Sequence, residues 1–228
     1  MYGSNSKNYG DGFTTMYGAD HEDIAYSYRT GNHGDGSWYS INGNIDYQRT
    51  SRKNKQRMIT FSYKINTQPQ TSNSNTGYED IHAKEEVDDL VKRLLLKNSQ
   101  SDGKTNTMEQ TFQVDYTTPI GELHTVEAGA KYIFRRTTSD NKLYEAAGGS
   151  DDYLYNEDRS SDYRHLNHIL AAYLGYTLKY KDFTFKPGVR YEQTVQRVKY
   201  IVGPGENFHT NFSDLVPSVS LGMKLGKT

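Results

Sequence analysis

Hydrophobic and polar positions alternate along most of the second half of this chain. Leu215, Pro217, Val219, Leu221, Met223 and Leu225 fall on one parity, and Ser218, Ser220, Gly222 and Lys224 fall on the other. Period two is the mark of a strand lying between two different environments. The pattern recurs upstream. Tyr39, Ile41, Gly43, Ile45 and Tyr47 oppose Ser40, Asn42, Asn44 and Asp46; Ile59, Phe61, Tyr63 and Ile65 oppose Thr60, Ser62, Lys64 and Asn66. Phe112, Val114, Tyr116 and Thr118 form a further face, followed by Val126, Ala128, Ala130, Tyr132 and Phe134. The longest run is His168, Leu170, Ala172, Leu174, Tyr176, Leu178 and Tyr180, and Phe183, Phe185, Pro187, Val189 and Tyr191 return from it. Pro187 inside a strand predicts an edge or a bulge.

Between these runs the pattern fades. Residues 1–37 are rich in Gly, Asn, Asp and Tyr and read as an N-terminal loop with one short strand at Ile24, Tyr26 and Tyr28. His33-Gly34-Asp35-Gly36 reads as a turn. Residues 67–108 read as a long loop carrying a short amphipathic helix over Lys84–Leu96, since Val87, Leu90, Val91, Leu94 and Leu95 share a helical face. Further long loops are expected at 136–164 and 195–213, and short turns at 50–55, 119–122 and 181–182. Alternating strands would then put the short turns at one end and the long loops at the other, as in outer-membrane barrels. The expected fold is an all-β, antiparallel up-and-down transmembrane barrel segment of about seven or eight strands over residues 38–225.

Composition constrains this reading without overturning it. Only 34% of the 228 residues are hydrophobic, and mean hydropathy is -0.89. A barrel tolerates such values, because alternate residues alone meet lipid and polar extensions dilute the average. The 20 tyrosines suit strands and membrane interfaces alike. Net charge is -1 with the signs interspersed, so nothing points to nucleic acid. Cysteine is absent, which excludes disulfides and thiolate chemistry. No apolar run approaches the roughly 18 residues of a membrane helix, and Met1-Tyr2-Gly3-Ser4-Asn5-Ser6 is not a signal peptide.

Candidate chemistry is sparse. His165 and His168 fall on opposite sides of a strand, and His21, His33, His82, His124 and His209 are isolated, so no metal site or cofactor is expected. Asp151, Asp152 and Asp158 read as solvated loop residues. No GxSxG elbow or phosphate loop is present, and no catalysis is expected. Parity assigns Asp46, Lys64, Asp115, Glu127, Lys131, Lys186, Arg190 and Glu192 to a wet lumen. It assigns Leu170, Leu174, Leu178, Phe183, Phe185, Val189, Val219, Leu221, Met223 and Leu225 to lipid. A charge at the midplane of a lipid-facing surface costs roughly 2–4 kcal/mol. The basic cluster Arg49, Arg52, Lys53, Lys55 and Arg57 is confined to a turn, where solvent or lipid headgroups surround it.

Lys186-Pro187-Gly188-Val189-Arg190-Tyr191-Glu192 resembles a characteristic strand of the Bacteroidetes outer-membrane β-barrel family allied to TonB-dependent receptors. Phe212-Ser213-Asp214-Leu215-Val216-Pro217-Ser218-Val219-Ser220-Leu221 resembles the segment that follows, with Val216 where phenylalanine is common. Asp115-Tyr116-Thr117-Thr118-Pro119, Glu127-Ala128-Gly129-Ala130-Lys131-Tyr132, and Arg135-Arg136 before Ser139-Asp140-Asn141 also fit. The resemblance implies an outer-membrane location, a barrel of about 22 strands, a plug domain, and an outer-membrane lipoprotein partner beside the surrounding lipid. Against such members the chain reads as a fragment. The function expected is ligand binding and uptake by part of a receptor-like barrel. The alternatives are a structural or adhesive surface barrel and a soluble β-sandwich binding module.

Overall fold

The structure, a computed structural model, describes residues 1–18, 22–85 and 96–225. It contains nine strands: β1 (Tyr2–Tyr17), β2 (Ile24–Thr50), β3 (Met58–Ala83), β4 (Lys97–Ile120), β5 (His124–Ala147), β6 (Leu154–Tyr155), β7 (Ser161–Tyr180), β8 (Phe183–Val202) and β9 (Phe208–Met223). Eight of them form one antiparallel sheet in the order β1-β2-β3-β4-β5-β7-β8-β9, and β6 adds to β5. Each strand pairs with its sequence neighbour, the up-and-down arrangement expected. The sheet is open: among the described residues, β1 and β9 do not pair with each other.

The strands reach far beyond the alternating segments. β2 has 27 residues and β3 has 26, against a usual five or six. Five expectations are thereby corrected. Residues 2–17 and 24–37 are not loop but β1 and the first half of β2. His33-Gly34-Asp35-Gly36 lies inside β2, paired with β1 on one side and β3 on the other. Most of 67–108 is the far half of β3 and the near half of β4, and the expected helix lies, in residues 86–95, outside those described. Likewise 136–164 and 195–213 shrink to the links 148–160 and 203–207, with β6 inside the first.

The physical reason is the same in most of these stretches. Alternation is visible only where one face is wet and the other dry. In the extensions of β2 to β5 both faces are mostly polar, and cross-strand side-chain bonds take the place of apolar contact; the extension of β8 instead has apolar residues on both faces, Val195 and Ile201 on one and Val198 and Val202 on the other. Ser37 meets Thr71 at 2.8 Å, Thr105 meets Ser139 at 3.3 Å, and Thr107 meets Thr137 at 3.1 Å. Asn73 donates to Asp35 at 3.2 Å, and Thr76 donates to Asn32 at 3.0 Å. Such rungs contribute about 0.2–1 kcal/mol each.

The short turns 51–57, 121–123 and 181–182 lie at one end of the sheet; the links 148–160 and 203–207 lie at the other, with the end of β1, the start of β2, the end of β3 and the start of β4. Register is constant through the alternating region. The three register shifts fall near the long-link end, at Met16/Tyr17, Ser27/Arg29 and Asp162/Tyr163. At the second, Asp80 takes a φ of 51° and, with Ile81, opposes the single residue Tyr28, which makes a β-bulge.

Pro187 is neither at an edge nor at a bulge. β8 is an interior strand, and Pro187 stays in register with Val219. On its other side the β7–β8 ladder omits the rungs between Gly175↔Gly188 and Leu178↔Phe185. The β2–β3 ladder lapses in the same way opposite Pro69, between Trp38↔Gln70 and Ile41↔Thr67. A proline that lacks its N–H costs a local rung but not the register.

Little of the chain is buried. Among the described residues four buried apolar side chains form what core there is, Ala171 at 1% exposure among them. One close approach fixes local packing on the same face. Gly129 pairs with Tyr173, and a Cβ on Gly129 would stand 2.3 Å from the Tyr173 hydroxyl and 2.4 Å from Cζ. Gly129→Val is therefore expected to displace that ring and cost about 1–3 kcal/mol. The cost should be read as a lower melting temperature of the folded, heat-modifiable band in detergent. Tyr173→Ala in the same chain should recover most of the loss; equal costs with and without Tyr173 would show that the ring is not the obstacle.

Candidate functional site

Three surfaces are available for function, and the register defines the first two. Paired residues in an antiparallel sheet share a face. Leu174 pairs with Val189 and Val189 with Pro217; Leu178 pairs with Phe185 and Phe185 with Leu221; Phe183 pairs with Met223, and Pro187 with Val219. Leu170 pairs with Tyr132, Tyr132 with Phe112, Phe112 with Tyr63 and Tyr63 with Ile45. Nine of the ten residues assigned to lipid by parity thus share one face of β7, β8 and β9. Leu225 lies two residues past β9 and is exposed. Continued to β2, the face is an apolar belt crossing seven strands. Its large side chains are exposed, Leu221 at 78% and Ile45 at 72%. An apolar groove of about 410 Å³ runs over it between Ile45, Phe61, Phe112, Tyr132 and Leu170.

Two aromatic rows bound the belt. Nearer the long links, Tyr63 and Phe112 stand 4.8 Å apart, Phe112 and Tyr132 6.4 Å, and Tyr132 and His168 6.1 Å. The Tyr132 hydroxyl and His168 Nδ1 share a 2.7 Å hydrogen bond. Nearer the short turns, His124 Nδ1 and the Tyr176 hydroxyl share one at 2.5 Å.

The opposite face carries the eight residues assigned to the lumen. Asp46, Lys64, Asp115, Glu127, Lys131, Lys186, Arg190 and Glu192 lie on β2, β3, β4, β5 and β8 and share the polar parity. They form a wall and do not converge. Arg190 donates to Glu192 Oε2 through Nη2 at 2.6 Å and Nε at 3.2 Å. Asn44 donates to Asp46 at 2.9 Å and Gln113 to Asp115 at 2.8 Å. A polar groove of about 400 Å³ lies between Asn42, Asn44, Lys64, Glu109 and Thr111. His165 falls on this face and His168 on the apolar one, the separation expected. Among the described residues no three His, Asp or Glu side chains gather as a metal ion would need.

The third surface falls within the stretch 136–164 that reads from the sequence as a long loop. Link 148–160 folds back onto the sheet. Gly149, with a φ of 76°, donates its N–H to the Tyr78 carbonyl at 3.1 Å, and Gly148 donates to Leu96 at 2.9 Å. The buried Asn98, 7% exposed, accepts from the Tyr78 N–H at 2.7 Å and donates to the Ser150 carbonyl at 2.9 Å. Asn98 shares the parity of the apolar belt, so the flap lies against that side of β3 and β4. On the far side of β5, Glu145 pins the returning chain. It accepts from Asn156 Nδ2 at 2.6 Å, pairs with Lys97 Nζ at 3.4 Å and binds the Arg159 guanidinium. Its side chain is only 9% exposed. The Asn156 hydrogen bond, then the charges of Lys97 and Arg159, hold the Glu145 carboxyl below the usual glutamate range against the effect of burial. Ser160 closes the flap, donating to the Asn156 carbonyl at 2.6 Å and accepting from the Leu143 N–H at 2.9 Å.

A long-stranded up-and-down sheet, apolar on one face, charged on the other and bounded by aromatic rows, defines an outer-membrane β-barrel protein. The sequence profile of the Outer membrane protein beta-barrel family matches residues 50–228, and the chain belongs to that family. Its place is the outer membrane, which removes the soluble β-sandwich alternative. No curated protein matches the chain. Among solved structures it is similar to the ferric citrate transporter FecA in its unliganded form, with a TM-score of 0.42, 12% identity, and 97% of this chain covering 40% of that one. It is also similar to the alcaligin outer-membrane receptor FauA of Bordetella pertussis (TM-score 0.37, 11% identity, 98% and 40% covered). A third is the ferric yersiniabactin uptake receptor FyuA of Yersinia pestis (TM-score 0.39, 13% identity, 99% and 40% covered). The chain spans 40% of the length of each of these receptors, and likenesses so distant carry no ligand across.

The flap yields a pH prediction. A carboxyl whose pKa is lowered on folding stabilises above its unfolded value, and that contribution is lost as pH falls through the folded one. Hydrogen-exchange protection of residues 154–160 should therefore hold at neutral pH and fall away at pH values below the ordinary glutamate range of about 4.3. Glu145→Gln should weaken it at neutral pH and flatten the response. Protection that ignores both pH and the substitution would show that Glu145 does not hold the flap.

Proposed function

We propose that this chain supplies staves of an outer-membrane barrel of the TonB-dependent-receptor type, which binds a ligand and passes it inward without bond-making chemistry. The observation that carries the reading is the continuous apolar belt over seven strands, backed on the other face by Asp46, Lys64, Asp115, Glu127, Lys131, Lys186, Arg190 and Glu192. In this reading the belt faces lipid and the charges face a wet lumen. On β5 the two aromatic rows are about eight residues apart, from His124 to Tyr132. At roughly 3.3 Å per residue and a tilt of about 40°, that rise is about 20 Å, close to the roughly 25 Å height of an outer-membrane apolar band.

The remaining parts follow. An unpaired strand edge leaves backbone groups unsatisfied in hydrocarbon, so further strands cover β1 and β9 in a larger barrel. Short turns face the periplasm and long links the exterior. A plug domain meets the charged wall, and a lipoprotein partner meets the long-link end. The strand carrying Gly188, Val189, Arg190, Tyr191 and Glu192 favours a Bacteroidetes origin. A purely adhesive barrel is the competing reading, and the polar extensions of β2 to β5 are what favour it.

Because the chain lacks cysteine, single-cysteine variants separate the faces cleanly. Arg190→Cys and Lys131→Cys should react with a small hydrophilic maleimide in isolated outer membranes, whereas Leu174→Cys and Leu221→Cys should react only after detergent. The reverse pattern would invert the assignment. Leu174→Arg should cost roughly 2–4 kcal/mol of folding stability in lipid. Transport separates receptor from adhesin: uptake by the intact protein should stop when the inner-membrane proton gradient is collapsed, while surface binding continues. Uptake that survives the collapse would rule out the receptor reading.

A further inference from the structure

A groove of about 720 Å³ opens near the long-link end, outside the charged wall. Its floor is laid by β1, β2 and β3, and its side by the flap residues Gly149, Asp151 and Tyr153. The floor positions Tyr9, Asp11, Arg29, His33, Asn75 and Glu79 all carry the parity of the apolar belt. Register is unbroken from the belt to these positions, so the groove lies on the barrel's outer flank, above the lipid, and not in the lumen. Asn98 fixes the flap on that flank through Ser150.

The lining has a consistent chemistry. Tyr9 and His33 stand 4.5 Å apart and tilted by 52°, and Tyr153 of the flap adds a further ring. Between them the floor is low, since a Cβ on Gly77 would meet nothing within 4 Å. At the rim are the carboxylates of Glu79 and Asp151 and the amide of Asn75. Arg29 stands 4.0 Å from Asp11. A sugar ring presents apolar C–H faces bordered by hydroxyl edges. It is held by aromatic surfaces beneath and by carboxylate or amide groups at its rim. A purely apolar ligand would leave the carboxylates without partners, and a polyanion would meet more acids than bases. The volume takes about two or three sugar rings.

We propose that this groove binds a saccharide presented alongside the barrel, the sugar portion of the glycolipid in the outer leaflet around it. The site grips the surrounding membrane and is separate from the path of the cargo. The proposal rests on the outward orientation of the long links given above.

The test uses the full-length protein in nanodiscs and, as probe, the oligosaccharide released by mild acid from the host's own outer-leaflet glycolipid. Saturation-transfer NMR should show binding. Tyr9→Ala and Glu79→Gln should each weaken it by about tenfold or more, and Lys53→Ala in the opposite short turn should leave it unchanged. Nanodiscs containing the intact glycolipid should compete with the free oligosaccharide, and phospholipid nanodiscs should not. Tyr153→Phe, which keeps the ring and the flap, should retain most binding. Absence of binding by the unaltered protein, or binding indifferent to Tyr9 and Glu79, overturns the site; competition absent from glycolipid discs overturns the membrane source. Leu154, at the flap and 75% exposed, separates the two levels. If Leu154→Cys is labelled on intact cells by an impermeant maleimide and no saccharide binds, this inference alone fails. If it is unlabelled there but labelled in broken cells, the orientation fails with it.

Discussion

Register is the constraint on which everything else depends. The sheet has almost no core, so it cannot rely on a packed interior to choose between alternative pairings. It relies on the consequence of a slip: moving any strand by one residue would carry its apolar row to the charged face and its charges to the belt. Through the alternating region every ladder keeps a constant offset. The belt is the product of that constancy, because no single strand is apolar enough to form one alone.

Features that usually weaken strands sit here without disturbing that offset. The ladders lapse opposite Pro69 and Pro187 and resume in phase. Gly129 gives up its own side chain so that the Tyr173 ring can lie across it. On the polar face, small and polar residues such as Ala171, Thr177 and Thr194 are the buried ones. Crowding on that face therefore comes from long neighbours leaning over short ones, and the apolar face is left bare. This is the inverse of a soluble domain, in which the bare face would be polar.

How much of this was legible in the sequence depended on the contrast between the two faces. Where one side is apolar, as from Leu170 to Tyr180 or Phe183 to Tyr191, the strands, their partners and their parity could be read directly. Where both sides are polar, as from Gln68 to Thr76, alternation carries no information and the residues resemble a loop; only the pairing of Ser37 with Thr71 or Asn73 with Asp35 reveals a strand. The flap was illegible for a different reason. Asn98, Glu145 and Ser160 are far apart in sequence from some of the groups they hold, and neither their types nor their spacings mark them. The eight charged positions share one face of the sheet, but sequence parity could not show that they spread as a wall.

The β-bulge at Asp80 has a wider consequence. It and the shifts at Met16/Tyr17 and Asp162/Tyr163 all lie beyond the belt, toward the long links. Each acts as a phase slip between two stretches of ribbon. Below it the alternation of apolar and charged faces is locked by the register; above it that lock is released. The hairpin tips are thus mechanically spliced onto the staves and are not simple continuations of them. Residues can be added, lost or exchanged above the slip, changing what the tip displays, without sending an error in parity down into the apolar rows.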